Sequence, residues 1–161
     1  METLASAFIY RHTKVRITTE RPTEFIDLTE SLEELLAESR IVTGFVNVQS
    51  LHTTAAIVVN EGEPLLLDDF ECFLRKTAPD DAPYLHDDET IRTVNLNPGE
   101  RPNGSSHCRA LMLGTSACLN IVNGRLLLGR WQRVFLAELD GPRSRDISVL
   151  VIGEAAQRRS R

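Results

Sequence analysis

The chain has only three cysteines, Cys72, Cys108 and Cys118, and no pair in Cys-x-x-Cys spacing. An odd count with no secretion signal argues for free thiols over a disulfide framework, and the spacing argues against a zinc ribbon. No apolar stretch is long enough to span a bilayer. The first residues, Met1 to Ser6, lack a basic segment followed by an apolar core, so no signal peptide is expected and the expected compartment is the cytoplasm. An excess of positive charge is also missing. The formal net charge is −5, which argues against a general nucleic-acid binder. Gly-x-Gly-x-x-Gly, His-Glu-x-x-His, Gly-x-Ser-x-Gly and the Gly-Lys-Ser/Thr ending of a P-loop are all absent.

What remains is an ordinary globular composition. The 161 residues are 42% hydrophobic and 25% charged, enough for one domain with a real core. Residues 6–19 read as a strand and 24–39 as a helix with Ile26, Leu28, Leu32, Leu35 and Leu36 largely on one face. Ser31 could open a capping box, and Asp27 with Glu30 fits an earlier start equally well. Gly44 starts a strand through Val48, and the β-branched run 55–59 is a second, ending at the turn signal Asn60-Glu61-Gly62. Pro64 opens a helix through Leu74. Residues 77–102, rich in Asp and Pro, form a long loop, a feature often tied to function. Asn103 caps a helix over 105–113 that stops at Gly114. Asn123-Gly124 lies between two strand-like runs and marks a hairpin. Strands follow at 130–138 and 146–152, joined by the turn Asp140-Gly141-Pro142-Arg143. The sum is an α+β domain: an antiparallel sheet core with about three helices packed on it. The domain core spans about residues 6–153, and 154–161, with Arg158, Arg159 and Arg161, is expected to be a frayed tail.

Three of the four histidines sit in short polar islands. His52 opens His52-Thr53-Thr54, His86 closes Tyr84-Leu85-His86, and His107 ends Asn103-Gly104-Ser105-Ser106-His107. Imidazole is a common metal ligand and the usual acid or base near neutral pH. His52 is therefore a site candidate, or a strand-end ring bonded to backbone. Gly104, Ser105 and Ser106 could cradle a phosphate at a helix N-terminus, or simply begin a capped helix. Asp68 and Asp69 offer carboxylates, though adjacent residues on a helix diverge. Glu138, Asp140, Arg143 and Arg145 either bind phosphate through paired guanidinium groups or pin their own turn by ion pairs. Trp131 is core or rim, or stacks on an aromatic ligand.

In order, His52-Thr53-Thr54-Ala55-Ala56, Asn60-Glu61, Tyr84-x-His86, Asn103-x-x-x-His107, Gly129-x-Trp131-Gln132 and Glu138-x-Asp140-Gly141-Pro142-Arg143-x-Arg145 resemble the YjbQ family, also called UPF0047. The resemblance covers nearly the whole chain. It departs at Cys108 and Arg109, where relatives often carry a small apolar residue and a lysine. It implies a compact YjbQ-like α+β fold, a homotrimer, and one site formed by His52, His86 and His107. Those three would act as acid-base groups or hold a divalent metal, zinc by preference or magnesium. Glu61 and Asp69 would support them as further catalytic groups. Thr53, Asn103, Ser105, Trp131, Arg143 and Arg145 would bind a small phosphorylated metabolite. The implied activity is that of a thiamine-phosphate synthase, joining a hydroxymethylpyrimidine diphosphate to a thiazole phosphate with release of pyrophosphate. The alternatives are a binding protein for a phosphorylated metabolite or a metal, and a metal-dependent phosphoesterase. Neither nucleic acid nor membrane is an expected partner.

Overall fold

The computed structural model of the protein describes residues 8–97 and 99–155. Its strands and helices run β1 (Phe8–Thr18), β2 (Glu24–Asp27), α1 (Thr29–Ser39), β3 (Ile41–Ser50), β4 (Ala55–Glu61), α2 (Pro64–Thr77), α3 (Gly104–Leu113), β5 (Ser116–Val122), β6 (Arg125–Leu126), β7 (Gln132–Glu138) and β8 (Ser144–Ala155). One sheet has the order β1-β8-β3-β5-β6 and the other β2-β7-β4, with every neighbouring pair antiparallel. The α+β class and the three helices agree with the sequence pattern.

Period-2 patterning sets the faces. Along β8, Arg145, Ile147, Val149, Val151 and Gly153 are buried, while the residues between them are half-buried. Ile147, Val149 and Val151 share a core with Val46 and Val48 of β3, Val134 and Leu136 of β7, and Leu32 and Leu36 of α1. Burying one such side chain contributes about 1.5–3 kcal/mol, so α1 is held mainly by its apolar stripe. A smaller cluster of Leu74, Ala110 and Leu139, with Phe25 and Leu113 against it, fixes α2 and α3 beside the small sheet.

Several boundaries differ from the sequence reading for identifiable reasons. Residues 24–27, expected to begin a helix, pair with β7 as β2. Ile26 and Leu28 satisfy either period, and pairing with β7 decides between them. Asp27 then receives the Thr29 amide at 2.8 Å, and Thr29 Oγ1 receives the Val134 amide at 2.9 Å, so the helix starts at Thr29 and the Ser31 capping box does not form. Gly44 lies inside β3 rather than at its start. A Cβ there would fall on the Ile152 carbonyl where β3 and β8 pinch together. Asn60 and Glu61 continue β4, because they pair with Arg133 and Gln132 of β7. At the other end, β8 extends through Ala155, past the expected domain core. Residues 6 and 7 and residues 156–161, with Arg158, Arg159 and Arg161, lie outside the described residues. The Asn-Gly hairpin is as expected: Asn123 and Gly124 have φ of 53° and 73°, the signature of a type I′ turn. Among the described residues, no helix is long and apolar enough to cross a membrane.

Candidate functional site

Four distant segments meet at one end of the sheets. The β3–β4 junction brings His52 and Thr53. The long loop brings His86 in a single 3₁₀ turn, Leu85–Asp87. Helix α3 brings His107, and the β7–β8 turn brings Asp140 and Arg143. They line a cleft of about 430 Å³, joined by Arg92, Asn95, Asn97, Glu100, Asn103 and the buried Arg145. The sequence-predicted residues His52, His86, His107, Thr53, Asn103, Arg143 and Arg145 are thus gathered in one place. Glu61 is exposed at the end of β4 and Asp69 is exposed on α2. Trp131 is 61% exposed beneath the Arg130 guanidinium, and Ser105 bonds Asp80 at 3.2 Å. None of these four lines the cleft of this chain.

His86 and His107 form an edge-to-face pair with ring centroids 4.5 Å apart. The chain achieves this by docking the loop on the start of α3. Asp87 Oδ1 accepts from the amides of Asn103 and Gly104, each at 2.9 Å. Gly104 is required there, because a Cβ would run into the Tyr84 side chain. Two expectations are corrected by this contact. Asn103 does not cap α3 through its side chain, and the Gly-Ser-Ser stretch is not an open phosphate cradle. A carboxylate of the chain already occupies the positive end of the helix, and Ser106 donates to the Leu139 carbonyl at 2.5 Å. Burial pushes the His107 imidazole below its ordinary range, and neighbouring His86 pushes it further. Asp140 and Glu100 oppose the shift in part.

His52 is placed differently. The Asp146 amide donates to its Nε2 at 2.7 Å. That nitrogen therefore carries no proton, and the neutral ring keeps its proton on Nδ1. Burial holds this imidazole low, and the Arg145 charge adds to it. Asp146 is itself anchored by Arg16 at 2.7 Å and Lys14 at 2.8 Å, so β1 indirectly fixes the His52 ring.

The arginines are largely committed. Arg145 and Glu138 are a buried pair, with side chains 3% and 0% exposed. Arg145 Nε donates to Glu138 Oε2 at 2.6 Å, and Nη2 reaches Glu138 Oε1 and Thr54 Oγ1. Burial alone would raise the Glu138 carboxyl. The Arg145 bond, the Asp140 amide and the Thr19 hydroxyl outweigh it and hold the carboxyl below its usual range. Arg145 is therefore held in a buried ion pair in the wall of the cleft. Arg143 gives Nε to the Asp140 carbonyl at 2.9 Å and Nη2 to its carboxylate at 2.8 Å.

Sequence reasoning missed Arg92. Its guanidinium holds the carbonyls of His86, Val94 and Asn95 and pairs with Glu100 at 3.0 Å, wrapping residues 86–100 around one charge. One signal was available: it is the only lysine or arginine between Lys76 and Arg101. Arg109, where the resemblance breaks down, ties α3 to the end of α2. It is 2% exposed, bonds the Ala78 carbonyl at 2.6 Å and pairs with Asp80 at 2.7 Å.

A three-histidine metal centre does not fit this arrangement. His52 Nε2 is taken by the Asp146 amide, and its Nδ1 must then hold the proton. Among the described residues, no three His, Cys, Asp or Glu side chains are grouped to hold one ion.

The family described as UPF0047 protein YjbQ-like matches residues 13–154. A UPF0047 protein of Methanothermobacter thermautotrophicus is 43% identical over 136 residues, covering 84% of this chain and 87% of the relative. YugU of Bacillus subtilis is 32% identical over 140 residues, 86% of this chain and 97% of its own length. The crystal structure of a protein of unknown function from Sulfolobus solfataricus superposes with a TM-score of 0.81 at 30% identity, covering 92% of this chain and all of its own. A hypothetical protein from Aeropyrum pernix gives 0.78 at 34% identity, covering 89% and 99%. The fold, the ordered motifs and these likenesses agree, and the chain belongs to the YjbQ (UPF0047) family.

Proposed function

We propose that the cleft binds a small phosphorylated metabolite and that the protein is a thiamine-phosphate synthase-like transferase acting in the cytoplasm. The observation that carries the reading is the convergence of His52, His86, His107 and Arg143 in one small-molecule-sized cleft. In the reaction, the carbon–oxygen bond to the diphosphate breaks and pyrophosphate leaves with the electron pair. The thiazole nitrogen supplies the pair for the new carbon–nitrogen bond. Arg143 offers the leaving diphosphate a charged donor, and fixed donors facing developing charge lower such barriers. His107, whose imidazole burial holds below its ordinary range, can take up or pass on a proton in the cleft. His52, bonded through Nε2, can present only its Nδ1–H to an anion. No step is assigned to zinc or magnesium.

Homotrimer formation is part of the proposal. The outer face of the large sheet supports it by exposing Tyr10 and Phe45, which are 73% and 39% exposed. Sedimentation of the full chain tests this, and a monomer at micromolar concentration would refute it.

The test of function is product formation by purified protein, with His107→Ala prepared in parallel. We expect turnover by the native protein and its loss in the folded variant. Equal product from both would show that the activity does not belong to this cleft. A non-catalytic binding role is the second reading, favoured by the ion-paired state of Arg92, Arg143 and Arg145. It predicts thermal stabilisation by the substrates with no product formed. Phosphate release from a panel of esters would instead indicate a phosphoesterase.

A further inference from the structure

The loop that forms one wall of the cleft has two sides. Its inner side supplies His86, Arg92, Asn95 and Asn97 to the cleft. Arg92 draws the carbonyls of His86, Val94 and Asn95 to itself. Its outer side is apolar: Leu85, Ile91, Val94 and Leu96 are 80%, 55%, 69% and 44% exposed. A loop that met only water would gain nothing from four large apolar side chains, and such exposure marks a surface built for a partner. The charge around them is acidic. Residues 78–102 hold six acids against Arg92 and Arg101, and Asp81, Asp88 and Glu89 among those acids are exposed.

The complementary surface is β1. It is an edge of the five-stranded sheet, so one side of its backbone faces no strand among the described residues. It carries Arg11, Lys14 and Arg16 and no acid. Charges of this kind blunt an edge against pairing, but Phe8 and Tyr10 beside them are 67% and 73% exposed, and aromatic rings do not blunt an edge. The three cations pair with Glu38 and Asp146 while staying exposed, and exposed pairs are weak enough to share a cation with a partner. The acidic, apolar loop and the basic, aromatic edge match in both respects. Both are exposed, so neither covers the other within one chain. Contacts between unlike surfaces of identical copies run head to tail and can close as rings.

We infer that the outer side of residues 85–96 docks on the β1 edge of a second copy of this chain, and that the cleft wall is complete only in that assembly. The inference rests on the proposed homotrimer and specifies the surfaces that form it. In the lone chain the wall is held by Arg92 and by the Asp87 bonds to the start of α3. The second copy holds it from outside, so order in the cleft is linked to assembly.

Sedimentation and amide exchange of the full chain test it. One double variant alters the edge, Tyr10→Asp with Arg11→Glu, and another alters the loop, Glu89→Lys with Val94→Lys. Where a double variant does not fold, Tyr10→Ser or Val94→Ser replaces it. Each is expected to weaken association by about tenfold or more. Mixed together they are expected to regain association, because the first keeps its loop and the second keeps its edge. The edge variant should also speed exchange at residues 85–96, although its substitutions lie on another element. Assembly of either folded variant as tightly as the native protein overturns the inference and leaves the trimer reading standing. So does a failure to associate on mixing, or unchanged loop exchange in a dissociated edge variant. A monomeric native protein overturns both. Product formation is measured separately: an inactive protein that assembles through these surfaces removes the transferase reading alone.

Discussion

Replacing Arg145 by Met isolates the contribution of its buried pair. Glu138 is fully buried, and the substitution leaves its carboxylate with only the Thr19 hydroxyl and the amides of Leu139 and Asp140. Removing one partner of a buried ion pair typically costs about 3–5 kcal/mol. The three remaining bonds keep the expectation at the lower end, about 3 kcal/mol. For a domain of this size, that lowers Tm by roughly 6–12 °C. The double variant Glu138→Leu, Arg145→Met removes both charges and should recover most of the loss, because no buried charge is left unpaired. Urea unfolding of the native, single and double variants measures all three. A loss below about 1 kcal/mol in the single variant, or a double variant no more stable than the single, would refute the assignment of Arg145 to this buried pair.

Two further outcomes follow from the site. His52 and His107 both titrate below the ordinary histidine value in the folded state, so the unfolded chain binds protons first as pH falls. Stability should be full above about pH 7 and decline from the ordinary histidine value near 6.5 downward until the folded rings protonate. A Tm series from pH 7.5 to 5.5 reads this directly, and a flat or rising profile on acidification contradicts it. Asp87→Ala removes the acceptor for the Asn103 and Gly104 amides at the start of α3 and should cost about 1 kcal/mol, or roughly 2–4 °C in Tm. It should also speed amide exchange across residues 84–88, and an unchanged Tm with unchanged exchange would show that the loop is not docked through this carboxylate.

Local patterns made much of this protein legible. The leucine stripe of α1, Pro64 at the start of α2, the Asn-Gly hairpin and the alternating β8 each follow from neighbours a few residues apart. The polar islands around His52, His86 and His107 marked the cleft residues before any geometry was known, because polar side chains interrupting apolar sequence need a reason to be there. Residues 24–27 fit a helix by sequence because Ile26 and Leu28 satisfy both a helical and a strand period. The choice lay with β7, more than a hundred residues away.

Residue type and order determined the class of fold, the family and the identity of the histidines that converge. Only the tertiary structure decided what each group is free to do. Asp87 claims the start of α3, Glu138 claims Arg145, and the Asp146 amide claims one nitrogen of His52. The Asp87 and Asp146 partners come from segments distant in sequence, while Glu138 lies seven residues from Arg145 across a turn whose sequence fits ion pairing and phosphate binding alike. A hydrogen bond is set by the distance and direction of two atoms in space, and no local pattern in the chain encodes that.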